Sequence, residues 1–171
     1  LVMLFKPHTA RIVAPLYSVG QGLLLGGMSA IFEQMYPGLV IQAVGLTFGV
    51  FFTMLGLYRS RIIAVNDRFR MIMGAAIGGI FFIYIIGFIF SLFGSTLPIF
   101  GSGTFGIGFS LLVVGIAAFS LLLSFDQIEA IGREGASETM EWFAAFGLLV
   151  SLIWLYIEIL KLLAKLRSQD D

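Results

Sequence analysis

Apolar residues in this chain come in five long runs, and none of them alternates with polar positions. The runs fall at about residues 11–32, 38–58, 71–93, 105–125 and 142–163. Each is close to the roughly 20 residues that a helix needs to cross about 30 Å of hydrocarbon. They are too long and too unalternating for barrel strands, and a helix satisfies all its backbone N–H and C=O groups without water. The pattern predicts an all-α, polytopic transmembrane bundle, five spans in a single domain over residues 1–171. The segments between the runs agree. Tyr36-Pro37-Gly38 reads as a tight turn, and Gly94-Ser95-Thr96-Leu97-Pro98 with Gly101-Ser102-Gly103 as a flexible, uncharged loop. Arg59-Ser60-Arg61 and Asn66-Asp67-Arg68-Phe69-Arg70 form a charged connector.

The distribution of basic residues predicts orientation. The 59–70 connector carries Arg59, Arg61, Arg68 and Arg70, whereas loops 33–37 and 94–104 carry no lysine or arginine. The positive-inside rule puts the connector in the cytoplasm with Lys6 and Arg11. By parity the 132–141 loop joins them and the C-terminus lies outside. Lys161, Lys165 and Arg167 make that last end basic and pull against the parity answer. A re-entrant last helix would remove the conflict.

Composition strengthens the membrane reading and removes other classes. Of 171 residues, 59% are hydrophobic and 12% charged, against roughly 45–50% and 25% in soluble domains; the mean hydropathy is +1.03. A net charge of zero argues against a nucleic-acid partner, which would need a basic face. With one histidine and no cysteine, histidine metal sites, thiolate sites and disulfides are excluded. Gly101-Ser-Gly-Thr-Phe-Gly106 lacks the strand and lysine of a phosphate loop. The chain starts at Leu1 and not Met, which predicts further N-terminal spans.

Glycines recur at every fourth position: Gly22 with Gly26, Gly45 with Gly49, Gly74 with Gly78. This spacing lets two helix backbones approach closely in lipid, so these pairs are expected at helix crossings. No internal repeat is evident, which disfavours an inverted-repeat transporter.

The candidate chemistry is acidic. Asp126 closes the fourth run and Glu158 lies inside the fifth, Leu155-Tyr-Ile-Glu158-Ile-Leu-Lys161. A carboxylate at bilayer depth costs several kcal/mol unless it is paired, protonated or wet. Two carboxylates on neighbouring helices can share a proton and convert pH into a structural state. Their oxygens also suit a hard cation such as Ca²⁺. The plainer alternative stays open: Asp126 and Glu129 mark a helix end, and Glu158 pairs with Lys161 and snorkels.

At these residues a resemblance appears. Phe125-Asp126-Gln-Ile-Glu129, Glu141-Trp-Phe-Ala-Ala-Phe-Gly147 and Trp154-Leu-Tyr-Ile-Glu158-Ile-Leu-Lys-Leu-Leu163 resemble the end of a bacterial Bax inhibitor-1/YccA-like protein, of the transmembrane Bax inhibitor motif family. Pro15-Leu-Tyr17, Gly22-Leu-Leu-Leu-Gly26-Gly-Met-Ser29 and Gln42-Ala-Val-Gly-Leu-Thr47-Phe-Gly-Val50 fit the same pattern. The resemblance implies a seven-helix bundle with a central last helix, of which this chain supplies helices three to seven. It implies no enzymatic activity, no cofactor beyond calcium as the transported ion, and a multi-pass protein of the bacterial inner membrane. It also implies a pH-sensitive calcium leak gated by an acidic pair, matched here to Asp126 and Glu158, where glutamate replaces the usual aspartate. The family's basic latch would lie on an early helix outside this chain. For a hairpin turning near Ala136, Asp126 should face about Gly147, some 16 Å short of Glu158. A pair therefore needs the fourth helix to run well past Asp126 or the fifth to start late. The alternative function is a membrane scaffold that binds a quality-control protease or another membrane protein; a secondary transporter ranks third.

Overall fold

The computed structural model describes residues 6–170. Five helices account for nearly all of it: α1 Ala10–Met35, α2 Leu39–Arg59, α3 Asp67–Leu92, α4 Thr104–Glu134 and α5 Glu138–Asp170. All five are long and apolar enough to cross a membrane. Single 3-10 turns at Pro7–Thr9 and Pro98–Phe100 are the other helical elements among the described residues.

The helix ends follow from local chemistry. α2 begins after Gly38, whose φ of 84° is left-handed and favours glycine. The carboxylate of Glu33 accepts from the N–H groups of Gly38 (2.7 Å) and Val40 (3.1 Å), which satisfies two donors that α2 leaves free. Asn66 caps α3 by accepting from the Phe69 N–H at 2.8 Å. α4 stops at Gly135, φ 60°, where the N–H groups of Gly135 and Ala136 both return to the Ile131 carbonyl.

α4 and α5 overrun their apolar runs. α4 continues nine residues past Phe125, and α5 starts four residues before Trp142 and ends seven after Leu163. Hydropathy marks where lipid stops, while the backbone stays helical through charged turns that find partners on neighbouring helices. α5 is the central element, packing on α4, α2 and α1, whereas α3 lies outside against α4. Leu121, Leu122 and Phe125 of α4 bury against Leu155, Ile159 and Leu160 of α5, with Leu39 and Ala43 of α2. Lipid tails are as apolar as leucine, so this core holds through dispersion and fit.

The glycine expectation is corrected. A β-carbon built at Gly22, Gly26, Gly45, Gly49, Gly74 or Gly78 meets no atom within 4 Å. Within the described residues these six line open helix faces and no crossing. The close approaches occur at Gly87, where a β-carbon would strike the Phe100 ring, and at Gly106, against the backbone carbonyl of Gly101. Both hold the 94–103 loop down on the bundle.

The basic C-terminal end has partners within the chain. α5 is a single continuous helix long and apolar enough to span, and its last turns lie beside the α1–α2 turn and the 94–103 loop. Arg167 donates to the Pro37 carbonyl (3.2 Å), Gln169 to that of Ser102 (2.8 Å), and Lys165 to Ser110 Oγ (2.7 Å). Of the cations, Lys165 is held part-buried and Arg167 is engaged at the surface, so neither is a wholly free topogenic charge.

Candidate functional site

Two charged clefts sit at opposite ends of the bundle, and each contains one of the acids singled out by the sequence. The first, about 560 Å³, lies between the 59–65 connector and the last turns of α4. Arg70, at the start of α3, donates to Asp126 Oδ2 at 2.5 Å and is also paired with Asp67 at 2.9 Å. Beside them Glu129 accepts from the hydroxyl of Tyr58 and from Arg133, with Arg61 at 3.8 Å. Glu129, which in the plainer alternative only marks a helix end, joins the end of α2 to the end of α4. The basic partner of Asp126 thus comes from within this chain.

The second cleft, about 320 Å³, is lined by Phe32, Tyr84, Phe109, Ser110, Glu158 and Lys165, among others. Glu158 is 2% exposed. The hydroxyl of Tyr84 on α3 donates to its Oε1 at 2.8 Å, and Lys161 Nζ stands 3.5 Å away. The snorkelling alternative had the partner right and the exposure wrong: Lys161 is reachable, but the carboxylate is not at the surface. Lys161 also lies 5.1 Å from the centre of the Tyr84 ring. Phe100 stacks on that ring at 5.7 Å and meets Phe109 edge-on at 6.0 Å. An aromatic cover from the 94–103 loop therefore closes over the cleft.

The two acids are not brought together. Ser124 and Ser151 hydroxyls meet at 3.0 Å, and Lys165 meets Ser110 at 2.7 Å, which fixes the antiparallel register of α4 on α5. In that register Asp126 stands level with about residue 149, nine residues from Glu158, or about 14 Å along the axis. α4 does run past Asp126, but α5 starts early enough, at Glu138, to cancel the gain. No three acidic or histidine side chains converge among the described residues, so neither Asp126 nor Glu158 belongs to a side-chain metal cluster.

What the acids share is α3. Asp126 on α4 holds the start of α3 through Arg70, and Glu158 on α5 holds its middle through Tyr84. The same register offsets the apolar run of α4 from that of α5 by about 11 Å. Charged turns of each helix therefore lie beside apolar turns of the other, and the clefts enter from opposite faces. Between them lies a layer of Leu121, Leu122 and Leu155 with the Ser124–Ser151 contact. Tyr84 was missed by sequence reasoning, although a hydroxyl in the middle of the Ile/Phe-rich α3 needs a partner in lipid.

No curated protein and no solved structure gives a match. A family model described as Bax inhibitor 1 like matches residues 1–168. With its five apolar spans and that match, the chain is a multi-pass membrane protein and belongs to the Bax inhibitor-1-like family.

Proposed function

We propose that this protein is a pH-dependent cation leak, with calcium as the transported ion, in which Asp126 and Glu158 act as two separate latches on α3. The observation that carries this reading is that both acids tie the same peripheral helix to the α4/α5 pair, one near its start and one at its middle. Protonating Glu158 removes the charge that Lys161 faces and weakens the acceptor of Tyr84. Protonating Asp126 removes the charge that Arg70 faces. Either event frees part of α3 and biases an open–closed equilibrium, and a change of about 1.4 kcal/mol shifts it tenfold. The groups around Glu158 are Tyr84 from α3, Lys161 and Lys165 from α5, and Ser110 from α4. The path is short because Asp126 and Glu158, one in each cleft, are offset by about 14 Å along the helix axis.

The test is calcium flux in proteoliposomes across a pH series. Glu158→Gln should flatten the pH response, and Asp126→Asn should weaken it independently, the two effects adding. A Glu158→Gln protein with the wild-type pH profile would remove Glu158 from the mechanism. A second reading, a scaffold for a membrane protease or other membrane protein, is favoured by the open glycine faces of α1, α2 and α3. A scaffold would carry no calcium at any pH.

A further inference from the structure

The first cleft has more positive than negative charge. Arg59, Arg61, Arg70 and Arg133 line it against Asp126 and Glu129. Both carboxylates are engaged, Asp126 by Arg70 and Glu129 by Tyr58 and Arg133. Arg61 reaches Glu129 only at 3.8 Å with 79% of its side chain exposed. Arg59 has no acidic partner within 4.0 Å among the described residues. Arg59 is therefore without an acidic partner among the described residues, and Arg61, held only at 3.8 Å and mostly exposed, is free to turn to a further anion.

The backbone adds an independent observation. Arg61 is the one non-glycine residue with positive φ, 57°, among the described residues. It sits just past the end of α2, its N–H donating to the Tyr58 carbonyl at 3.1 Å. Left-handed backbone at a helix exit is a glycine position, and an arginine there is strained. An observed outlier of this kind points to a use for the side chain. The surroundings are apolar: Ile63, Ala64 and Val65 line the cleft. Ile62 beside it is 73% exposed, and Met71 and Ile72 present bare apolar surface on the adjoining turn of α3. Guanidinium groups above an aliphatic flank, at the end of a membrane span, match a phosphodiester joined to acyl chains.

We infer that the cleft between the 59–65 connector and the end of α4 binds the headgroup of an anionic phospholipid, with Arg59 and Arg61 holding the phosphate. The chemistry shared with a soluble ligand is the phosphate anion, and the test separates the two sources. Protein in neutral-detergent micelles is titrated with phosphatidylglycerol, phosphatidylcholine or inorganic phosphate, and thermal stability and lipid retention in native mass spectrometry are followed. Phosphatidylglycerol should raise the melting temperature and remain bound, while phosphatidylcholine and inorganic phosphate should do neither. Each arginine removed should weaken lipid binding about fivefold, and Arg59→Gln with Arg61→Gln about thirtyfold. Arg61→Gly guards against misfolding, since glycine suits that backbone; it should melt no lower than wild type in plain micelles and still lose about fivefold in lipid affinity. Equal response to phosphatidylcholine, or an undiminished response in Arg61→Gly and the double variant, would overturn the site. A full response to inorganic phosphate alone would overturn the lipid assignment. None of these readouts depends on calcium flux.

Discussion

Replacing Tyr84 by phenylalanine removes one oxygen and leaves the ring, and it tests directly how firmly α3 is held. The lost bond is 2.8 Å long and ends on a carboxylate that is 2% exposed and ion-paired with Lys161 at 3.5 Å. Hydrogen bonds between membrane helices average about 0.6 kcal/mol and reach about 1.7. Bonds to charged groups contribute about 1.5–3 kcal/mol. The acceptor here belongs to an ion pair in a site with little water, so the charged range applies. Tyr84→Phe should cost about 1.5–3 kcal/mol, a factor of roughly 12 to 150 in the unfolding equilibrium. The ring contacts with Phe100 (5.7 Å) and Phe109 (6.2 Å) survive in phenylalanine. Tyr84→Leu should therefore cost more, by about 0.5–1.5 kcal/mol for each aromatic pair lost. Equilibrium unfolding in mixed detergent–dodecyl sulfate micelles measures both differences. A Tyr84→Phe loss at or below about 0.6 kcal/mol would refute the reasoning: the bond would then be an ordinary neutral one, and α3 would not depend on the charge at Glu158.

Three further outcomes are expected. In this cysteine-free chain, Ser124→Cys with Ser151→Cys should oxidise to a disulfide, while Asp126→Cys with Glu158→Cys should not; the converse would reject the α4/α5 register. Gly106→Ala should destabilise by about 1–3 kcal/mol through collision with Gly101, whereas Gly26→Leu and Gly78→Leu should stay within about 0.5 kcal/mol, read in the same unfolding assay. Single cysteines replacing Ser60 and Ser102 should label from opposite sides of the membrane, and labelling from one side would dismiss the five-span arrangement.

The five long apolar helices and the charged connector were legible because lipid imposes them one residue at a time: an apolar run of the right length has few other uses. Glu158 was legible for the same reason, as a charge where charge is expensive. The partners were harder. Arg70 and Asp126 are 56 residues apart, and nothing in either segment announces the other. The helical ends of α4 and α5 were hidden because a hydropathy reading stops at Phe125 and Leu163, while hydrogen bonding continues through Gln-Ile-Glu-Ala and Ala-Lys-Leu-Arg. The glycine pairs misled because spacing states that a face is smooth and not what lies against it. Phe100 over Gly87 shows the opposite case, a lone glycine whose role appears only once the 94–103 loop folds back.

The offset of the two apolar runs has an electrical consequence. Once α3 releases as proposed, water in the two clefts would reach Asp126 from one face and Glu158 from the other, leaving an insulating part about 14 Å thick, while the surrounding hydrocarbon is about 30 Å. A membrane potential falls across whatever insulates, so the field in the Leu121–Leu122–Leu155 layer would then be about twice that in the bilayer alongside. Moving one elementary charge through the full potential changes its energy by about 2.3 kcal/mol per 100 mV, and a divalent ion by roughly twice as much. In that released state nearly all of the change would be concentrated into a single step across nine residues of helix.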